Sequence, residues 1–335
     1  MSVGVSGQYQ ASIRPPGDSG HMNSSAIAAT GLRKAYGDKT VLDGIDLDIG
    51  AGTIFSLLGP NGAGKTTTVN VLTTLLKADG GTARVAGYDI ATHPRAVRAA
   101  IGVTGQFAAV DDLLTGQENL QLMADLHHLR ASEGRRVVSA LLERFDLAAS
   151  AQKPASTYSG GMRRKLDLAM SLVTKPQIIF LDEPTTGLDP RSRRTVQDIV
   201  RELVTDGTTI FLTTQYLEEA DQLSDHVAVL DHGRIVANGT PGELKSLVGG
   251  HYIQLRFTSA AELQEAARIL PGSTRDEEAL TLRVPGNGGT RPLRDLLDRL
   301  GEYSLDAEDV SVHTPDLDDV FFALTGRATT EAIAQ

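Results

Sequence analysis

The octapeptide Gly59-Pro60-Asn61-Gly62-Ala63-Gly64-Lys65-Thr66, with Thr67 after it, lies between an apolar run over 53–58 and a helical apolar pattern over 65–76. It fits G-x-x-x-x-G-K-[ST], the spacing of a loop that cradles phosphate. Glycine tolerates the positive φ angles needed to turn successive backbone N–H groups onto an anion. A helix starting at Lys65 aims its positive N-terminal end at the same point. Lys65 can place a cation between the β- and γ-phosphates, and the Thr66 hydroxyl can ligate Mg²⁺. The strand before and the helix after argue against a chance match in a Gly-rich turn. Alone, the loop predicts a nucleoside triphosphate site without separating kinases, GTPases and transporters.

Downstream, 178–181 is short and wholly apolar, as expected of a strand covered on both faces, and it ends in Asp182-Glu183. Asp182 can hold Mg²⁺ through water, and Glu183 can polarise an attacking water. Acids that merely end a strand would look the same in isolation; the phosphate loop upstream favours the catalytic reading. A second buried strand is expected at 208–213, with a polar helix near 193–204 between the two.

Towards the N-terminus, strands are expected at 26–36, 46–49 and 53–58, the last two broken by Gly50-Ala51-Gly52. The middle, about 116–149, is helical by period: Leu120, Met123, Leu126 and Leu129, then Val138, Leu141, Leu142 and Phe145. Another helix follows Ser159-Gly160-Gly161, with Leu166, Ala169, Met170 and Val173 on one face. Strands alternating with helices predict an α/β fold. After a Gly-bounded stretch at 239–250, the chain reads strand 252–257, helix 261–270, strand 279–284, helix 292–300, strand 307–313 and helix 317–324. In that last helix Asp318-Asp319 is expected to complement the helix dipole rather than bind a metal.

The 335 residues are 41% hydrophobic and 22% charged, with a net charge of −10. That composition suits a large domain plus a smaller one. There is no cysteine, hence no disulfide framework and no thiolate site. Residues 245–335 hold 9 Lys/Arg and 15 Asp/Glu; so acidic a surface argues against nucleic-acid binding. No charge-free apolar run is long enough to predict a transmembrane helix. The first 25 residues are rich in Ser, Gly and Pro without an apolar core, so a signal peptide is not expected. Gly20-His21-Met22 reads as a cloning remnant or part of a natural leader, and residues 1–24 are set aside as a disordered leader or tag.

Tyr158-Ser159-Gly160-Gly161-Met162 resembles the signature sequence of ABC transporter ATPases, usually Leu-Ser-Gly-Gly-Gln, and precedes the Asp182-Glu183 strand at that family's spacing. Other family elements follow in order. Tyr36 matches the aromatic that stacks on adenine, although a core or surface tyrosine would read alike. Gln106, in Val103-Thr104-Gly105-Gln106-Phe107, matches the glutamine that contacts Mg²⁺ and senses the permease. Gly187-Leu188-Asp189-Pro190 matches the loop that crosses the family's dimer interface. The sequences 158–164 and 213–221, with Leu317-Asp318-Asp319-Val320-Phe321-Phe322 near the end, are similar to daunorubicin-resistance (DrrA-type) ATPases of drug or lipid exporters.

The resemblance implies a P-loop NTPase of the ABC type over 25–245, with a mixed-sheet core, a helical subdomain at about 107–175 and an antiparallel β subdomain. It adds an accessory C-terminal α/β domain over 246–327 and a tail over 328–335. It implies ATP and Mg²⁺ as cofactors, with Thr66, Gln106 and Asp182 around the metal. Glu183 and Gln215 are the implied catalytic residues. A head-to-tail homodimer is implied, in which Ser159, Gly160 and Gly161 of one chain meet ATP held by the other. A separate integral-membrane permease would place the chain at the cytoplasmic face of the membrane. One position departs from the family: Gln215 stands where most ABC ATPases have a histidine. Its amide can still bond a γ-phosphate oxygen but cannot become cationic. Hydrolysis is expected to survive, more slowly. The alternatives are a non-transport ABC ATPase, a regulatory subunit with negligible turnover, and a P-loop kinase. A kinase has no need of the signature sequence, and an intact Glu183 argues against the regulatory reading.

Overall fold

The computed structural model describes residues 25–105, 109–248, 251–286, 290–313 and 315–325. Strands β1 (Ser25–Tyr36), β2 (Lys39–Gly50) and β3 (Ile54–Leu58) lead into helix α1 (Lys65–Leu72). Then come β4 (Gly80–Val85), β5 (Tyr88–Asp89), α2 (Pro94–Ala100) and β6 (Ile101–Thr104). Three helices follow, α3 (Gly116–Leu126), α4 (Ala131–Arg144) and α5 (Gly160–Ser171), before β7 (Ile178–Asp182). The chain continues through α6 (Pro190–Thr205), β8 (Thr209–Thr214), α7 (Leu217–Leu223), β9 (His226–Asp231), β10 (Arg234–Gly239) and α8 (Pro241–Ser246). The remainder is β11 (Tyr252–Arg256), α9 (Ala260–Ile269), β12 (Thr274–Asp276), β13 (Thr281–Pro285), α10 (Thr290–Glu302), β14 (Asp309–His313) and α11 (Leu317–Thr325).

The central sheet has six strands in the order β10-β9-β3-β8-β7-β6. Its inner strands are parallel, and β10 is added antiparallel. Both faces are covered, which the continuous apolar runs of β3, β7 and β8 require. Successive residues divide between two cores. Ile54, Ile179, Leu181, Ile210 and Leu212 face the layer built from α3, α4, α5 and α6. Phe55, Leu57, Ile178, Phe180 and Phe211 face the opposite way, towards α1 and the antiparallel sheet β2-β1-β4-β5. Phe55, Phe211 and Phe180 form a ladder across three neighbouring strands, with centroids 5.3 and 5.2 Å apart. Burying each such side chain contributes about 1.5–3 kcal/mol, so the ladder is a large part of what holds the site-bearing strands in register.

Local signals explain several boundaries. Thr115 and Glu118 close a capping box at the start of α3. Asp189 caps α6, with Pro190 in its first turn. The helical stretch expected at 116–149 is two helices, because the chain turns between α3 and α4 with His128 at φ +56°. Helix α1 stops at Leu72, four residues before the expected end, and Thr74 just beyond it has φ +63°.

The last part of the chain carries a four-stranded antiparallel sheet, β12-β13-β11-β14. Its core joins Ile253, Leu255, Phe257 and Leu282 to Leu263 of α9 and to Leu296 and Leu300 of α10. The expected grouping of all six terminal elements differs from the packing observed. Helix α11 buries Leu317, Val320 and Phe321 against Leu58, Leu217, Val227, Val229 and Leu244 of the central sheet, α7 and α8. Its apolar face found the groove beside α7 and α8 rather than the terminal sheet. Among the described residues, no helix is long and apolar enough to cross a membrane.

Candidate functional site

Three adjacent parallel strands, β3, β8 and β7, end on the same side of the sheet. Beyond β3 comes the phosphate loop, beyond β7 Glu183, and beyond β8 Gln215. This is the edge where open α/β sheets hold ligands. In the loop, Asn61 and Gly62 are exposed, while Gly59, Ala63, Gly64 and Lys65 are buried. Gly64 caps α1 at φ +114°, and a Cβ there would stand 2.8 Å from Leu42 Cδ2. A Cβ on Gly59 would meet the Leu230 carbonyl oxygen at 2.3 Å. Conformation and space therefore both require glycine at Gly64, and space alone requires it at Gly59.

Lys65 is 4% exposed. Its Nζ donates to the carbonyls of Gly59 at 2.8 Å and Pro60 at 3.2 Å, and lies 3.3 Å from Glu183 Oε1. Burial pushes the Lys65 ammonium down from its ordinary pKa, against the pull of Glu183 and Asp182. A buried cation ringed by loop carbonyls and a carboxylate fits a polyanionic ligand, which is the better partner for it. Thr66 Oγ1 donates to Asp182 Oδ2 at 2.9 Å. A hydroxyl and a carboxylate held together offer hard oxygen ligands that suit Mg²⁺.

Two features were not visible in the sequence reading. Glu183 lies in the left-handed region at φ +50°, a conformation that costs a non-glycine residue about 1–3 kcal/mol. It turns the chain sharply after β7, with its carboxylate towards Lys65. Thr213 is the second. Its hydroxyl donates to Asp182 Oδ1 and accepts from the Glu183 backbone N–H at 3.1 Å. One hydroxyl thus holds the Asp182 carboxylate and the backbone of Glu183. Thr213→Val, of nearly the same shape, is expected to weaken the Mg²⁺ dependence of hydrolysis about 10-fold, as for one lost hydrogen bond to a charged group. A Mg²⁺ titration of steady-state phosphate release checks this.

Ser159, Gly160 and Gly161 belong to a second cluster. Ser159 caps α5, its Oγ accepting from the Met162 N–H. A Cβ on Gly160 would lie 3.8 Å from Leu188, and one on Gly161 would strike Ser192 Oγ at 2.4 Å. Asp189 accepts from the Arg191 and Ser192 amides and from Ser192 Oγ. These bonds, the Ser192 hydroxyl first, hold its carboxyl below the usual range. The signature sequence and the Asp189 turn therefore form one surface. Among the described residues, that surface shares no hydrogen bond with Lys65, Thr66, Asp182 or Glu183. Tyr36 is half exposed at the end of β1, with Lys34 Nζ 5.8 Å from its ring centroid. Gln215 is partly buried and its Oε1 has no protein partner. Gln106 and Phe107 lie outside the described residues.

A family model described as "ABC transporter" matches residues 42–186. The daunorubicin resistance ATP-binding protein DrrA3 of Streptomyces coeruleorubidus is 50% identical over 307 residues, covering 91% of this chain and 97% of that protein. The Nod factor export ATP-binding protein I of Ralstonia nicotianae is 38% identical over 327 residues, covering 94% and 98%. A solved structure of the ATP binding subunit of an ABC transporter superposes with a TM-score of 0.61 at 27% identity, over 67% of this chain and 93% of that one. The chain belongs to the ABC transporter ATP-binding subunits, closely related to the daunorubicin-resistance ATPases, and is an ATP-hydrolysing, Mg²⁺-dependent member of that family.

Proposed function

We propose that this chain powers export of an amphipathic drug or lipid through a separate integral-membrane permease, working as a homodimer that closes on ATP. The observation that carries the shared-site reading is the separation of the two clusters. Lys65, Thr66, Asp182, Glu183 and Gln215 converge at the strand ends, while Ser159, Gly160 and Gly161 sit with Asp189 on another surface. A second copy placed head to tail would bring its signature helix, N-terminus first, to the γ-phosphate. Gln106 is proposed at the metal and Tyr36 at the adenine.

Within one chain, Lys65 exchanges Glu183 for phosphate oxygens. This leaves the Glu183 carboxylate to take a proton from the attacking water. Thr66 and Asp182 would hold Mg²⁺, which would supply neutralisation of phosphate charge. Gln215 donates its amide N–H to a γ-phosphate oxygen. Loss of the γ-phosphate removes the contact that bridges the two copies and favours opening. The export assignment is supported by the relatives' names, which speak of daunorubicin resistance and Nod factor export.

Two separately inactive variants test the shared site. Lys65→Ala removes the loop cation, and Gly160→Asp sets a carboxylate at the signature helix, where an added Cβ comes no closer than 3.8 Å to Leu188. Mixing the two is expected to restore ATP hydrolysis, because mixed dimers contain one intact pair of half-sites. A mixture as inactive as its components would mean that each chain works alone.

A further inference from the structure

Among the described residues, the buried side-chain nitrogens and oxygens without a hydrogen-bond partner belong to Thr104, Arg164, Thr185, Arg193, Gln215 and Glu219. Native proteins leave few such atoms, and each asks for an explanation. Glu219 of α7 contributes both of its carboxylate oxygens to this set. It is 2% exposed, and neither carboxylate oxygen has a partner at bonding distance and angle. The hydroxyls of Thr214 and Thr185 face it, and the guanidinium groups of Arg193 and Arg164 act on it from further away. Arg164 also acts on Asp182, and its Nη1 donates to the Gly105 carbonyl and to Asp167, both at 3.0 Å. Arg193 stacks over Tyr216 at 5.0 Å.

The groups around Glu219 come from the turn after β7, from β8, from α6 and from the signature helix α5. A buried carboxylate is costly unless donors and cations compensate it. That compensation holds only while these four elements keep their places around α7. Gln215 lies four residues before Glu219, just ahead of the Tyr216 cap of α7, and Thr185 lies two residues after Glu183. The Thr214 hydroxyl that faces Glu219 also accepts the Tyr216 N–H, at 2.9 Å.

We propose that Glu219 is a positioning residue for hydrolysis. Its buried carboxylate faces the Thr214 hydroxyl of one turn and the Thr185 hydroxyl of the other without a bond to either, and so sets the spacing of the turns that carry Gln215 and Glu183. The inference rests on the reading that Gln215 acts at the γ-phosphate.

The test is a double-substitution cycle on the full chain with Mg²⁺-ATP. Glu219→Gln keeps the shape and replaces the buried carboxyl by an amide. It is expected to lower kcat about 10- to 100-fold, as misplacement of a reacting partner does, with KM and the melting temperature near wild type. Gln215→Ala should slow turnover by itself. Adding Glu219→Gln to it should then change little, because both act through one amide. Thr185→Val, which removes one group facing Glu219, should follow the same pattern and serves if Glu219→Gln fails to fold. Turnover of Glu219→Gln like wild type overturns the proposal, as do effects of the two substitutions that multiply. If Gln215→Ala hydrolyses like wild type, the γ-phosphate role of Gln215 falls, and positioning through it falls too. If Gln215→Ala is slow and Glu219→Gln is not, only the positioning role falls.

Discussion

Glu183→Gln is expected to lower kcat by about 10²- to 10⁴-fold, the range for loss of a general base, while affinity for ATP holds or rises. The direction of each change follows from the contact with Lys65. Glu183 Oε1 lies 3.3 Å from Lys65 Nζ, and the two side chains are 9% and 4% exposed. The carboxylate is thus both the base for water and a competitor for the cation that phosphate needs. Glutamine removes the charge, so it cannot take a proton and it competes less well for Lys65. Its size is unchanged, and the left-handed turn at this position is retained. A variant that binds ATP but does not release it as ADP should accumulate as the closed dimer. Phosphate release, a nucleotide titration and light scattering with ATP measure the three consequences. Turnover near wild type would remove Glu183 from the role of base. Loss of binding in proportion to turnover would make it a structural acid instead.

How much of this was readable from the residues depends on what each signal encodes. Gly59–Gly64, Lys65 and Asp182 were legible because phosphate and Mg²⁺ chemistry restricts residue type at fixed spacing. The runs of β3, β7 and β8 were legible because a strand buried on both faces has nowhere to put a polar side chain. Thr213 was not, since threonine in a strand reads as ordinary β-propensity and its hydroxyl partners lie one strand away. The left-handed φ of Glu183 has no signature either, because nothing in glutamate announces it. Nothing in the sequence tells Glu218 from Glu219, yet the fold exposes the first and buries the second. The last helix was legible over 317–324, but not which surface it covers. Periodicity tells that a face is buried; only the assembled chain tells against what.

Lys65→Met separates what the buried cation does for stability from what it does for binding. Methionine keeps the apolar stem and removes the ammonium. ATP affinity should fall about 30- to 5,000-fold, the equivalent of about 2–5 kcal/mol for truncating one partner of a buried charge pair. Hydrolysis should be lost with it. Stability should fall as well, because Glu183 is then left in a nearly buried site without its cation. The second substitution decides between the two effects. In Lys65→Met with Glu183→Gln, no unmatched charge remains at the pair, so the melting temperature should recover towards wild type. Binding should not recover, since no cation has been restored. Thermal melts and nucleotide titrations of the three variants make the comparison. Recovery of both together would mean that Lys65 serves ATP only by holding the site in shape. Recovery of stability alone means that it meets the phosphates through its charge.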